Sequence, residues 1–263
     1  MIHKLDPQLL ERPIRILVVG CGGTGSAVVS GLPYLHQALL AFDHPGGLVV
    51  TVVDPDVVTE TNCVRQPFCR TELGLPKATV LAHRVNSFWG LSWQGMQAQV
   101  QQIAKGAEVD LVIGCVDTRK ARRAIDAWVR KSRTLYWLDL GNSASTGQFI
   151  LGQPNNAANR KKKNRLPTVA ELYPEILASD PKRDQQPACS AAEALTRQEP
   201  FINQNLAYQA LAMLTQLLRH GSLSYHGGFC NLARGQLVPV LVHGDNMRSH
   251  AVMPAKTAES VSQ

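Results

Sequence analysis

The chain has 263 residues, of which 44% are hydrophobic and 18% charged, and its formal net charge is +7. This composition is typical of a globular protein, and no apolar run approaches the roughly 20 residues that span a membrane. The start of the chain lacks the apolar core of a secretory signal peptide, so we expect a cytoplasmic protein. Six cysteines without a C-x-x-C pair indicate neither a zinc site nor a disulfide framework.

The first elements predict a strand that runs into a phosphate-type loop. Residues 14–19 form a short apolar run, which is typical of a buried parallel strand. The glycine loop follows, with Gly20, Gly22, Gly23, Gly25 and Ser26. We predict a helix over 26–41, broken at Pro33, and a second buried strand over 48–53 that ends at Asp54.

The next elements repeat this alternation. A helix is predicted from Lys77 to about residue 86, and a buried strand over 110–116 leads to Asp117. Residues 119–131 predict another helix and 135–140 another strand. The order indicates an α/β, Rossmann-like doubly wound, mostly parallel sheet, whose ligands bind at the carboxyl ends of its strands.

We divide the chain into four segments. Residues 1–150 are a nucleotide-binding domain, and 151–200 are a Pro-rich and basic insert. Residues 201–247 predict a helix with Asn203 as its N-cap, followed by short antiparallel strands that complete the same domain. Residues 248–263 predict a disordered tail.

Much of the positive charge lies in residues 160–165, Arg-Lys-Lys-Lys-Asn-Arg. A solvated, mobile loop is the first interpretation of such a run. A patch for an acidic partner or for nucleic acid is the alternative, with nucleic acid the weaker one.

Further polar residues follow the strand ends of the predicted sheet. They exceed what a dinucleotide pyrophosphate needs, but they suit a nucleoside triphosphate with a divalent metal. These residues are Asp54, Asp56, Asn62, Arg65, Gln66, Lys77, Asp117 and Arg122. Together with the G-x-G-G-x-G-S loop they resemble the ThiF/MoeB superfamily, the bacterial relatives of the ubiquitin-activating enzymes. The resemblance covers about residues 13–150, and within the superfamily the chain looks most like the ThiF component of PRTRC cassettes.

The resemblance implies a role for each of these residues. The loop glycines and Ser26 would lie against the phosphates of ATP, and Asp54, assisted by Asp56, would bind the ribose. Arg65 and Lys77 would neutralise charge on the phosphates, and Asp117 would hold Mg²⁺. Asn62 and Gln66 would orient the triphosphate or the attacking carboxylate, although such amides also stabilise turns. Arg122 would bind the nucleotide or pair with an acidic neighbour.

The implied reaction is adenylation of the C-terminal carboxylate of a small ubiquitin-like (β-grasp) or sulfur-carrier protein. Cys189 is the candidate for a following thioester, with a small buried packing residue as the alternative. Cys21, Cys63, Cys69 and Cys115 are expected to be structural.

Two family features are missing, and two other functions stay open. The zinc-binding C-x-x-C pairs are absent, and so is the Arg-Tyr-x-Arg-Gln element that serves the partner subunit, for which Arg12 or Arg15 could substitute. A homodimer is therefore an open alternative. The glycine loop also permits an NAD(P)-dependent oxidoreductase, and the fold permits a non-catalytic nucleotide-binding scaffold.

Overall fold

The computed structural model describes residues 1–104, 106–178 and 199–242, without the side chain of Arg65. An eight-stranded sheet dominates these residues. Five strands are parallel and lie side by side in the order β4 (Gln94–Met96), β3 (Leu48–Val53), β2 (Ile14–Val19), β5 (Leu111–Gly114) and β6 (Tyr136–Asn142).

Three antiparallel strands extend the sheet beyond β6. They are β7 (Thr146–Gly152), β9 (Tyr225–Asn231) and β10 (Gln236–Leu241). A separate two-stranded sheet pairs β1 (His3–Lys4) with β8 (Ser222–Leu223). The architecture is the expected Rossmann-like α/β fold. Because β9 pairs with β7, the C-terminal strands belong to the same sheet as the first part of the chain.

Helices cover both faces of the sheet. One face carries α1 (Gly23–Ala41), α3 (Lys77–Trp89) and α6 (Ile202–His220), and the other carries α4 (Arg119–Lys131). Two short helices, α2 (Asn62–Arg65) and α5 (Val169–Leu172), lie in the connections. In the described part of the chain, no helix is long and apolar enough to cross a membrane.

The strand register places the functional loops at one edge. Val19, the last residue of β2, pairs with Val53 of β3 on one side and Gly114 of β5 on the other. The loops that follow these three strands therefore begin at the same level. The chain leaves β2 for β3 on one side and later returns to β5 on the other, so a crevice opens between the connections.

Three local expectations are wrong. Pro33 does not break α1, which runs unbroken through this buried residue because packing against the core outweighs one lost backbone hydrogen bond. Asn203 does not cap α6, since Phe201 holds the N-cap position with φ of 70°. Finally, β7 continues two residues past the boundary set at residue 150.

We expect the basic segment 160–165 to be a solvated loop, but two of its side chains form ion pairs with the rest of the chain. The ammonium of Lys162 lies 2.6 Å from the carboxylate of Asp6, and Arg165 pairs with Glu171 at 2.7 Å. Nearby, the buried amide of Asn159 donates to two backbone carbonyls, each at 3.1 Å. These contacts hold the first part of the insert against the domain. The tail, 248–263, lies outside the described residues.

Candidate functional site

Packing within the chain requires three of the four loop glycines. Gly20 has φ of 98°, and a Cβ at Gly25 would lie 1.9 Å from the carbonyl oxygen of Gly20. A Cβ at Gly23 would lie 2.6 Å from the side-chain nitrogen of Asn203. Only at Gly22 would a Cβ meet nothing within 4 Å. Packing within the chain thus explains Gly20, Gly23 and Gly25 but not Gly22, and the expectation that all four lie against phosphates stays a prediction.

The loop delivers the chain into α1 with its first turn uncapped. Gly22 occupies the N-cap position, and no side-chain hydrogen bond caps the helix there. The Ser26 hydroxyl is buried and donates to the carbonyl of Gly22 at 2.6 Å, so it supports the loop from within. Free N–H groups at the start of a long helix favour a phosphate or carboxylate.

The carboxylate of Asp54 holds the glycine loop. One oxygen accepts the backbone N–H of Cys21 at 2.5 Å, and the other accepts the N–H of Asp56 at 2.8 Å. Burial raises the pKa of Asp54, and these two donors oppose that shift. The predicted ribose ligand is thus also a structural part of the loop.

Lys77 and Asp56 form an ion pair at the same edge. Lys77 begins α3 with its side chain only 8% exposed, and its Nζ lies 3.2 Å from the 65%-exposed carboxylate of Asp56. The backbone N–H of Lys77 also donates to the carbonyl of Asp56 at 3.1 Å. A largely desolvated ammonium held in this way supplies a fixed positive charge beside the loops.

The two predicted amides behave differently. The Oδ1 of Asn62 accepts from the N–H and the hydroxyl of Thr59, both at 2.9 Å, so this amide stabilises a turn. Gln66 is 9% exposed, and its buried Oε1 has no partner among the described atoms. An unpaired buried amide atom is costly, so this oxygen is available to a ligand. The side chain of Arg65 lies outside the described part of the chain.

Asp117 is exposed two residues after Cys115, whose carbonyl oxygen packs against Gly20. The following residue, Thr118, caps α4 by accepting the N–H of Ala121 at 3.1 Å. Among the described residues, Asp117 makes no hydrogen bond or ion pair. The carboxylate is therefore available to a ligand at the carboxyl end of β5.

Arg122 lies under this edge in a buried ion pair. Its Nε donates to both carboxylate oxygens of Asp139, at 2.9 and 3.1 Å, and its side chain also donates to the carbonyl of Val116. Asp139 is fully buried. Of the two roles expected for Arg122, the geometry favours pairing with an acidic neighbour over nucleotide binding.

The donors at the crevice suit magnesium better than a metal held by protein alone. In the part of the chain described, no group of three or more His, Cys, Asp or Glu side chains could hold a metal ion. Mg²⁺ commonly uses one or two carboxylates, with substrate phosphates and water as its other ligands. Asp117 beside an open helix N-terminus fits that pattern.

The cysteines divide by burial, and the candidate nucleophile Cys189 lies outside the described residues. Cys21 and Cys115 are buried, and burial raises the pKa of each thiol. The thiol of Cys230 is likewise buried with a raised pKa. Cys63 is half-buried, whereas Cys69 is exposed and its thiol lies 3.0 Å from the hydroxyl of Thr71.

Both arginines considered as substitutes for the missing intersubunit element are engaged within the chain. Arg12 forms two hydrogen bonds with the carboxylate of Asp110, each at 2.7 Å. Arg15 pairs with Glu108 at 2.8 Å. Neither guanidinium is free in this structure.

One contact escaped the sequence analysis. Asn203, at the start of α6, accepts a hydrogen bond from the Thr24 hydroxyl at 2.7 Å and another from the Asn142 side chain at 3.1 Å. Its position near a helix start suggested only a cap. The sequence signal for this contact was Thr24 itself, because a hydroxyl buried inside the glycine loop needs a hydrogen-bond partner.

Comparison with known proteins decides the family. Residues 4–251 match the model of the ThiF family. The chain belongs to the ThiF family. A search of curated protein sequences gave no significant match. The comparisons do not resolve the subgroup, so the resemblance to the PRTRC component stays a prediction.

Solved structures share the fold of this ThiF-family chain at low sequence identity. A structure of E. coli MccB with succinimide has a TM-score of 0.59 and 15% identity, covering 89% of this chain and 65% of that one. E. coli MccB with ATP gives 0.56 and 14%, covering 89% and 64%. PaaA gives 0.55 and 12%, covering 87% and 64%. This chain thus spans slightly less than two thirds of these proteins.

Proposed function

We propose that the protein uses ATP to adenylate a carboxylate of a partner protein. The observation that carries the proposal is the composition of the crevice at the carboxyl edge. An uncapped helix N-terminus at Gly22, the buried ammonium of Lys77 and the unpaired carboxylate of Asp117 follow neighbouring strands there. These groups complement a triphosphate with its metal.

The reaction needs alignment and charge neutralisation more than proton transfer. An ionised carboxylate of the partner attacks the α-phosphorus of ATP, the bond to the bridging oxygen of the β-phosphate breaks, and pyrophosphate leaves. The N–H groups after Gly22 would bind phosphate oxygens while Lys77 and Arg65 offset their charge. Asp117 would hold Mg²⁺, which supplies Lewis-acid polarisation of the phosphates when bound.

The finer parts of the proposal concern the partner and the second step. ThiF-family membership and the likeness to E. coli MccB, solved with ATP and also with MccA, support a nucleotide and a partner molecule. We propose a ubiquitin-like or sulfur-carrier protein as that partner, with its C-terminal carboxylate as the nucleophile. Cys189 remains our candidate for a thioester.

An NAD(P)-dependent oxidoreductase is the alternative, and the site favours ATP over it. Lys77 and Asp117 exceed what a dinucleotide pyrophosphate needs, whereas a triphosphate with its metal would use both. A non-catalytic scaffold would bind the nucleotide without turnover.

Calorimetry with ATP and Mg²⁺, and separately with NAD, tests the nucleotide. We expect ATP to bind and NAD to bind far more weakly; the reverse order would refute the proposal. Pyrophosphate exchange in the presence of a β-grasp protein that ends in glycine then tests turnover. The matched control is the same carrier with an amidated C-terminus, which should support no exchange. ATP binding without exchange by any such carrier would favour the scaffold.

A further inference from the structure

Three elements that are distant in sequence meet at the side chain of Asn203. Its Oδ1 accepts from the hydroxyl of Thr24 in the first turn of α1, at 2.7 Å, and from the amide of Asn142 at the end of β6, at 3.1 Å. Asn203 is 9% exposed, and Thr24 is 7% exposed. The glycine loop is therefore connected through buried polar contacts to the start of α6.

The contact is too tight to tolerate displacement of the loop. A Cβ at Gly23 would lie 2.6 Å from the nitrogen and 2.7 Å from the carboxamide carbon of Asn203. The backbone of the first turn of α1 thus packs directly on this amide. A shift of Asn203 toward α1 would have to move the N–H groups that we assign to the phosphates.

The chain that enters α6 is anchored at the same place. The N–H of Glu199 donates to the carbonyl of Ala144 at 2.8 Å, next to Asn142, and Phe201 adopts the left-handed φ of 70°. Left-handed backbone is strained for a phenylalanine and persists only where the surroundings impose it. The entry to α6 is therefore held at a defined place beside the glycine loop.

We propose that Asn203 is a positioning residue for nucleotide binding: it sets the orientation of the first turn of α1 and couples that turn to the chain entering α6. This inference rests on the proposed function. Asn203 acts through Thr24 and Gly23, and it need not touch ATP. Movement at the start of α6 then changes the affinity for nucleotide, and bound nucleotide stabilises the entry to α6 by the same factor.

Two substitutions separate positioning from simple stability. Asn203→Ala removes the acceptor, so the Thr24 hydroxyl loses its buried partner and the first turn of α1 relaxes. Asn203→Asp keeps an acceptor oxygen for Thr24 and Asn142 but places a negative charge against the helix N-terminus. The Asp variant therefore measures the charge beside the helix N-terminus, whereas the Ala variant measures the loss of the acceptor.

We expect calorimetry to show weaker binding of ATP with Mg²⁺ by at least about fivefold in both variants, the lower end of typical coupling between sites. Thr24→Val should have the same effect. Combining it with Asn203→Ala should add little, because both substitutions remove the same hydrogen bond between Thr24 and Asn203. Gln204→Ala, an exposed neighbour on the same turn, is the matched control and should bind as wild type. Wild-type affinity in Asn203→Ala and Thr24→Val would overturn the inference.

Amide hydrogen exchange separates this inference from the proposed function. Without nucleotide, Asn203→Ala should speed exchange at residues 22–26 while Gln204→Ala does not. If the wild-type protein binds no ATP, the proposed function fails, and the exchange result alone decides the coupling. Unchanged exchange in Asn203→Ala would overturn the coupling whatever the protein binds.

Discussion

The carboxylate of Asp54 accepts the backbone N–H of Cys21, so the residue that directly follows β3 holds the glycine loop that follows β2. β2 and β3 are adjacent and parallel, and the contact joins the loops that follow them. The acidic residue expected to bind a ribose hydroxyl therefore also shapes the phosphate loop. A change at Asp54 should alter folding as well as nucleotide binding.

Asp54→Ala should lower the free energy of unfolding by about 2 kcal/mol or more, because two backbone donors lose a charged, buried acceptor. Asp54→Asn should cost less, since one carbonyl oxygen remains. Urea denaturation measures both variants. Glu108→Ala is the control, because its exposed pair with Arg15 should contribute less than about 1 kcal/mol. Equal midpoints for Asp54→Ala and Glu108→Ala would contradict the structural role.

Arg122→Ala should reduce stability by about 3 to 5 kcal/mol, because it leaves Asp139 buried and unpaired. Replacing both residues, as Arg122→Met with Asp139→Leu, should restore much of the loss by removing the buried charge altogether. Denaturant titration of Arg122→Ala and of the double variant measures this. A folded Arg122→Ala protein with unchanged stability and weakened ATP binding would instead assign Arg122 to the nucleotide.

Asp117→Ala should leave stability within about 0.5 kcal/mol of wild type, because the side chain is exposed and unpaired among the described residues. It should nevertheless abolish pyrophosphate exchange, since the metal loses its protein ligand. Calorimetry of ATP with and without Mg²⁺ should show that Mg²⁺ no longer improves binding. Glu60→Ala, another exposed acidic residue, is the control. A Mg²⁺ effect of wild-type size in Asp117→Ala would remove this residue from the metal site.

We expect His3 to lower the free energy of unfolding in acid. This histidine is buried against Tyr136, and burial, His226 and Lys162 lower its pKa from 6.5 to about 4, while Asp6 opposes them. Between these two values the unfolded chain binds a proton that the folded protein does not, so stability decreases as pH falls from about 6.5 to about 4. The full effect of His3 is roughly 3 kcal/mol.

Urea denaturation of His3→Gln between pH 7.5 and 4 tests the assignment. The variant should lose less stability than wild type over this range, whereas the exposed His83→Gln should keep the wild-type slope. Identical slopes in wild type and His3→Gln would show that another group causes the acid sensitivity.

Cys189→Ala should still adenylate the carrier protein and exchange pyrophosphate, because that step needs only the crevice groups. It should fail to form a thiol-sensitive adduct with the carrier, which non-reducing gels detect. Cys230 is a poor second candidate, because its thiol is buried. Cys69→Ala, at an exposed thiol, is the matched control. An adduct that survives Cys189→Ala but not Cys69→Ala would move the nucleophile to Cys69.

The sequence by itself predicted four of the five parallel strands, missing the short β4, and the edge of the sheet at which we propose the site. Apolar runs that end at Gly20, Asp54 and Asp117 identify buried strands, and parallel strands must bring their carboxyl ends to one edge. The helix 119–131, predicted from its alanine- and arginine-rich composition, has the observed bounds, and Thr118 caps it in the structure. Local chemistry and periodicity suffice for such features.

Only the tertiary structure decided which polar groups bind one another. Asp54 meets Cys21 across 33 residues, Arg122 meets Asp139 across 17, and Asn203 meets Thr24 across 179. The sequence does not show which residue Asp54, Arg122 or Asn203 will contact, because each partner depends on how the helices and strands pack. Burial favours pairing of such polar groups, and in Asp54 and Arg122 it gives two expected ligands a structural role as well.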